Sequence, residues 1–446
     1  MNQNIVTPSI LPGFLELLPQ DQMIFNRMLD VIRSTYERYG FIPLDTPVIE
    51  KSEILLAKSG GETEKQIYRF NKGDNDLSLR FDLTVPLARY VAQHYYELTF
   101  PFRRYHIGKV YRGESPQKGR FREFYQCDID IIGNENLNII NEAEVLSIIY
   151  STFKALGFDR FTMRINNRKV LNGFFEWLNV QNKADVLRVI DKIDKIGSEA
   201  VARELGSMGI NSGVAQEILR FIKIKGKPEE MIEGLKEMNV DNELFKLGVE
   251  ELEQVCSHIR YFGIPQENFA LDLTIARGLD YYTGTVYETI LNDYPSIGSV
   301  CSGGRYDSLA SNYTEKKLPG VGISIGLSRL FYQLKEAGIL KADTASTPTK
   351  LLIIPMKETM SNSLDIATKA RQSGIPTEVY FNEGKMGKKF GYADKLGIPF
   401  AMVIGEDEVN TGMFRLKNMK TGEQETVNID ELISKIKGYS IENTSL

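Results

Sequence analysis

Cysteine is scarce in this chain of 446 residues: Cys127, Cys256 and Cys301 lie far apart, and no CxxC occurs. That excludes a disulfide framework or a thiolate zinc site as the basis of the fold. The three histidines, His94, His106 and His258, are equally scattered and form no HExxH pattern. Structural roles suit them better than a zinc site. No apolar run approaches membrane-spanning length. The opening MNQNIVTPSILPGFLELLPQDQ has neither the basic n-region nor the long apolar core of a signal peptide, so a cytoplasmic protein is expected. A repeat of fixed period is also missing. Positive charge is not in excess: the net charge is −5, which argues against a general nucleic-acid-coating protein while allowing local basic patches. What remains is 42% apolar and 25% charged, an ordinary globular composition, on a chain long enough for two or three domains.

Periodicity divides the chain. Gln20–Tyr39 reads as an amphipathic helix, with Phe25, Met28, Leu29, Ile32 and Tyr36 on one face, and Gly40 ends it before the proline-bearing FIPLDTPVIE. LSLRFDLTVPLAR (Leu77–Arg89) alternates as far as Asp82 and then enters a helix, with Thr84 at the N-cap position. Strands are expected over Phe102–Arg112 and Glu123–Ile132, and a helix over Asn141–Leu156. Mixed strands and helices of this kind predict an α+β domain with an antiparallel sheet. Residues 166–263 are dominated by helical patterns and read as an insertion between two parts of one core, 1–165 and 264–341. A small, polar linker covers 342–349. From 350 to 446, strands alternate with helices, which predicts a small α/β domain with a parallel centre.

The chemistry concentrates in Tyr111–Gly133, YRGESPQKGRFREFYQCDIDIIG. From Arg103 to Glu123 there are seven basic residues (Arg103, Arg104, Lys109, Arg112, Lys118, Arg120 and Arg122) against Glu114 and Glu123. Guanidinium forks match phosphoryl oxygens, although a solvated hairpin would carry the same charges. Beyond the loop, Gln126, Asp128 and Asp130 alternate with apolar residues, so all three share one strand face. Asp82 and Thr84 are two apart and can cradle an ammonium group, or serve as a solvated acid beside a capping threonine. Arg277-Gly278-Leu279-Asp280-Tyr281-Tyr282 sets a guanidinium beside two aromatics. On a strand only one of those tyrosines could line a given pocket, and a structural Arg277–Asp280 pair with both tyrosines in the core fits equally. GVGISIGLSRL (Gly320–Leu330) reads as a glycine-spaced strand entering a helix with Arg329 in its first turn. A cation there opposes the helix dipole unless an anion shares the site, or unless the side chain runs out to solvent.

Taken together, these segments resemble the class II aminoacyl-tRNA synthetases, specifically the histidyl-tRNA synthetases. Tyr111–Gly133 is similar to their motif 2, and Gly320–Leu330 to motif 3. RGLDYYTGTVYE and SGGRYDSL resemble the two histidine signatures, and LRFDLTVP the amino-group-binding segment. The first helix and the strand after it resemble motif 1. Two positions depart from the pattern: Ser328 stands where an acid commonly precedes the arginine, and Asp82 where many bacterial members have Glu.

The resemblance implies a homodimer with an anticodon-binding domain at 350–446. It would activate L-histidine with ATP and transfer the histidyl group to tRNA(His), with Mg²⁺ bridging the outer phosphates. By the same resemblance, Arg112 holds the α-phosphate, Arg120 and Arg329 the outer phosphates, and Arg277 the charge developing in the reaction. Glu114 would contribute to the ATP site. Asp82, Thr84 and Gln126 receive the ammonium, and Asp130 with Tyr281 or Tyr282 the imidazole. No protein ligand set for a metal is implied. Gln117 and Lys118 in the hairpin loop, and Lys385, Lys388 and Lys389 near the C-terminus, are candidate tRNA contacts, though each set also suits solvated charge. Asp128 receives no role. The regulatory subunit of ATP phosphoribosyltransferase is similar to the same core, but it is not expected to carry the C-terminal domain. A synthetase-like protein that only binds RNA would not need the arginines.

Overall fold

The computed structural model describes residues 6–57, 62–115, 119–190, 196–275, 281–340 and 345–439. Contacts divide the chain into two compact units, one of Met1–Leu15 and Leu29–Ala337, the other of Glu16–Met28 and Gly338–Leu446.

The first unit is built on an eight-stranded sheet. Its strands are β1 (Ile42–Pro43), β5 (Phe102–Tyr111), β6 (Glu123–Ile132), β7 (Phe161–Asn167), β8 (Phe269–Leu271), β9 (Thr285–Leu291), β10 (Ser299–Tyr306) and β11 (Gly320–Gly326). They are ordered β1-β5-β6-β11-β10-β9-β7-β8. The two edge pairings, β1–β5 and β7–β8, are parallel, and every pairing between them is antiparallel. A separate small sheet holds β2 (Ile49–Lys51), β3 (Arg69–Lys72) and β4 (Asn75–Leu79). The alternation read in β6 is realised: Cys127, Ile129 and Ile131 have no exposed surface. Behind them, the Tyr36 hydroxyl donates to the Cys127 carbonyl at 3.0 Å. The helix Ile140–Ala155 packs on β10 and β11, burying Val145, Leu146, Ile148 and Ile149.

Helices fill the stretch after β7. The first, Arg168–Trp177, is not anticipated by the sequence reading, because β7 runs into it without a loop. The Asn167 side chain caps it by accepting from the Lys169 N–H. The helix Glu243–Tyr261 packs against it through one glycine on each side. A Cβ on Gly173 would lie 2.4 Å from the Phe245 nitrogen, and one on Gly248 2.6 Å from the Val170 nitrogen. β7 itself crosses residue 166, where the sequence places the start of the insertion.

In the second unit, β12 (Leu351–Pro355), β13 (Thr377–Val379), β14 (Phe400–Ile404), β15 (Phe414–Asn418) and β16 (Gln424–Val427) form one sheet ordered β13-β12-β14-β15-β16. The first three strands are parallel and the last two are added antiparallel. Ile366, Ala367, Leu432 and Ile436 pack on one face, and Ala393 and Ile398 on the other. No helix among the described residues is long and apolar enough to cross a membrane.

Candidate functional site

Register assembles the site. Antiparallel strands in register put opposed residues on one face. Arg104 on β5 faces Asp130 on β6, which faces Gly322 on β11, which faces Gly304 on β10. The next row is His106, Asp128, Ser324 and Ser302. A cavity of about 410 Å³ lies over this surface. Gly322 is obligatory beneath it: a Cβ there would stand 2.2 Å from Asp130 Oδ1 and 2.4 Å from the Ile129 carbonyl.

The inner end of the cavity is acidic. Arg104 has no exposed surface, and its Nη2 sits 2.7 Å from Asp130 Oδ2. The same nitrogen donates to the Leu83 carbonyl at 3.1 Å, and Tyr306 donates its hydroxyl to Asp130 Oδ1 at 2.7 Å. Gln126 donates to Ser324 Oγ at 2.6 Å, which leaves Gln126 Oε1 without a partner. Asp82 is buried, and its Oδ1 accepts from the Val85 N–H at 3.0 Å. The carboxylate at 82 therefore caps the helix Thr84–Gln93, not the Thr84 expected from the sequence. Burial pushes the Asp82 carboxyl above its ordinary value, against the lowering effect of that N–H and of Arg112.

Cations line the outer end. The Arg112 guanidinium lies 4.3 Å from the Phe81 ring centroid and 5.1 Å from that of Phe124, and its Nε donates to the Phe81 carbonyl at 3.3 Å. Arg120 reaches Glu114 at 3.6 Å. Arg329 donates Nη2 to the Ile297 carbonyl at 3.0 Å, while its buried Nε has no partner. Burial, and then the charge of Arg120, press the Arg329 guanidinium below its usual value. An anion between these groups would relieve both. Ser328 accepts from the Tyr125 N–H at 2.9 Å, so the position where an acid was expected ties the helix to β6.

Of the residues singled out in the sequence, the cavity gathers Asp82, Thr84, Arg112, Glu114, Arg120, Gln126, Asp128, Asp130, Tyr281, Tyr282 and Arg329. Both tyrosines line it, contrary to the strand expectation, because β9 starts only at Thr285 and the pair precedes it; their rings meet edge to face at 5.0 Å. Arg277, Gln117 and Lys118 lie outside the described residues. Lys385 and Lys388 are exposed on the second unit, and the Lys389 ammonium stands 5.8 Å from the Tyr380 ring centroid. The basic hairpin is less of a phosphate surface than its charge count suggests. Arg103 pairs with Glu144, Lys109 with Glu123, and Arg122 donates to the Glu114 carbonyl. Sequence reasoning missed Arg104, Tyr306 and Ser324. Tyr306 stood inside SGGRYDSL, and Arg104 becomes visible only once β5 is set in register with β6.

Comparison with known proteins gives two family matches along the chain. The family described as histidyl-tRNA synthetase matches residues 13–330, and the anticodon binding domain family matches 350–439. A histidine–tRNA ligase of Clostridium tetani is 63% identical over 98% of this chain and all of its own length. Among solved structures, the histidyl-tRNA synthetase from Nostoc sp. PCC 7120 is 42% identical, with a TM-score of 0.87 over 98% of this chain and 99% of that one. A Bacillus halodurans protein described as an ATP phosphoribosyltransferase regulatory subunit/histidyl-tRNA synthetase shares the fold alone, at 20% identity and a TM-score of 0.74 over 87% of this chain and 98% of that one.

Proposed function

The chain belongs to the histidyl-tRNA synthetase family, and from that membership we propose how its cavity serves the reaction. The protein is a histidine–tRNA ligase, which activates histidine with ATP and then transfers it to tRNA. One observation carries the assignment of the site: the guanidinium groups of Arg112, Arg120 and Arg329 and the buried carboxyl groups of Asp82, Asp128 and Asp130 line a single cavity. That combination matches a polyphosphate meeting an amino acid.

In the first step an oxygen of the histidine carboxylate attacks the α-phosphorus, and the bond to pyrophosphate breaks. The nucleophile arrives ionised, so positioning and charge stabilisation matter more than a general base. Arg112, beside the rings of Phe81 and Phe124, holds the α-phosphate, and Arg120 and Arg329 hold the outer phosphates. Arg277 meets the negative charge that builds at the α-phosphate. Asp82, Thr84 and Gln126 receive the ammonium. Asp130, steadied by Arg104 and Tyr306, and Tyr282 take the ring nitrogens. In the second step a hydroxyl at the 3′ end of tRNA attacks the histidyl carbonyl and AMP leaves.

Mg²⁺ accompanies ATP and neutralises phosphate charge when bound. Among the described residues no group of three or more His, Cys, Asp or Glu is arranged to hold a metal ion; phosphate oxygens would hold it, with Glu114 as the nearby carboxylate. Gln117 and Lys118 would meet the acceptor end of the tRNA. Ile42, Val48 and Ile49 are 52%, 36% and 47% exposed on the segment that resembles motif 1, which supports a homodimer closed over that segment. Sedimentation at micromolar concentration should give twice the chain mass, and Ile49→Asp should lower it to that of one chain; a monomeric parent would end the dimer reading. A cytoplasmic location is the reading for an enzyme of tRNA charging.

Histidine-dependent pyrophosphate exchange tests the site. Arg277→Ala should lower kcat by at least about 100-fold with little change in the histidine KM, as expected when charge stabilisation in the transition state is lost. A near-normal rate would remove Arg277 from the mechanism.

A further inference from the structure

Asp128 has no part in the chemistry set out above, yet it sits at the centre of the cavity. It is 2% exposed, lines the cavity between Gln126 and Asp130, and its Oδ1 has no hydrogen-bond partner. An unpaired carboxylate oxygen in such a place is expensive. The surroundings offset this only in part: Ser324 hydrogen-bonds the carboxyl and the charge of Arg104 favours its ionised form, but that fully buried cation is already paired with Asp130.

The groups facing Asp128 come from several elements. Arg104 and His106 stand opposite on β5, Asp130 is on its own strand, and Asp82 adds another carboxyl from the turn before the helix. Arg112 and Tyr282 also feel its charge, as do the Tyr36 phenol and the Cys127 and Cys301 thiols. Burial holds His106 neutral, pressing it down to about 3, and lifts those phenols and thiols above their usual values. Burial likewise pushes Asp128 up to about 7 and Asp130 to about 6, both against the opposing charge of Arg104. Near neutrality the cavity therefore carries a proton of its own.

We propose that Asp128 sets the protonation of the bound substrate through its charge, so that the complex keeps one proton on either this carboxyl or the imidazole ring of histidine, whose nitrogens bond Asp130 and Tyr282. The inference rests on the cavity being the histidine site. The ring is held either as imidazole beside a protonated Asp128 or as imidazolium beside its carboxylate, and the proton count is the same in both. The site thus selects a basic ring, not merely a flat one with nitrogen atoms.

Sign follows from the count. Above pH 7 both Asp128 and free histidine have lost the proton that the complex needs, so binding must take one up. The histidine KM should then rise with pH, by at most about tenfold per unit. Calorimetry of histidine binding in buffers of different ionisation enthalpy reads the proton directly. Uptake should be near zero around pH 6.5 and approach one proton per site at pH 8.5. Asp128→Asn keeps the shape and cannot titrate, so it should take up almost no proton at pH 8.5, and its KM should stop rising between pH 7.5 and 8.5. Histidine binding to the parent protein without proton uptake at pH 8.5, or equal uptake by Asp128→Asn, would overturn the role of Asp128 alone. Failure of the parent protein to bind histidine at all would overturn the site reading instead. The parent measurement needs no variant, so a misfolded Asp128→Asn would not shield the proposal.

Discussion

Arg104 contributes at the scale of one residue by joining two others. Its guanidinium touches Asp130 and the Leu83 carbonyl, and so couples the strand that meets the ring to the turn that carries Asp82. Arg104→Gln would leave the Asp130 carboxylate buried without its cation. Loss of about 3–5 kcal/mol is the usual consequence of breaking a buried pair from one side. A lower unfolding midpoint in urea, together with a raised histidine KM, is expected. Adding Asp130→Asn should restore much of the stability without restoring the KM, because the unpaired charge is gone while the ring has lost its acceptor. A midpoint unchanged by Arg104→Gln would show that the pair contributes little to stability. None of this was legible in the sequence. Arg103 and Arg104 are adjacent and chemically alike, yet one reaches Glu144 at the margin and the other is sealed inside. Which of the two turns inward depends on the pairing of β5 with β6, a long-range fact.

Elements were easier to read wherever one face is buried. Period-two alternation identified β6 and the cavity face of Gln126, Asp128 and Asp130. Glycine spacing likewise located β11 and the helix that starts at Leu327. The reading failed where local pattern yields to tertiary geometry, as at Tyr281 and Tyr282, whose β-like composition sits outside β9. It failed also at the helix Arg168–Trp177, which begins at the residue after a strand. That helix offers an element-scale test. Gly248→Ala would drive a methyl group into the backbone of Lys169 and Val170, with contacts of 2.6 to 3.0 Å. Overpacking of this kind costs about 1–3 kcal/mol. Gly206→Ala, on the helix Ser198–Ser207, meets nothing within 4 Å and serves as the control. Thermal unfolding should separate the two; equal midpoints would mean the helices can part to admit the methyl.

At the scale of the whole molecule, the domain that matches the anticodon binding family is built as a separate sheet with its own core on both faces. Amino-acid activation and tRNA affinity should therefore be separable by mutation. Neutralising Lys385, Lys388 and Lys389 together is expected to raise the tRNA KM in a charging assay and leave pyrophosphate exchange unchanged. Loss of both activities would point to misfolding of the sheet, and loss of neither would clear these lysines of any contact. The two glycines in the strand row of Asp130 bear on something larger than the cavity. Neither Gly304 nor Gly322 has room for a methyl group: a Cβ at Gly322 would stand 2.2 Å from Asp130 Oδ1, and one at Gly304 2.7 Å from the Thr285 carbonyl and 3.0 Å from the Tyr282 ring. The cavity beside Gly322 is edged by buried polar groups that require partners. An amino acid of suitable thickness but without ring nitrogens leaves those groups unsatisfied, a discrimination of about 10⁴–10⁵ where a site is built this way. A synthetase that discriminates at that level needs no hydrolytic proofreading step. By this reading, fidelity at histidine codons depends on two positions without side chains on adjacent strands, since a Cβ at either would crowd Asp130 or Tyr282.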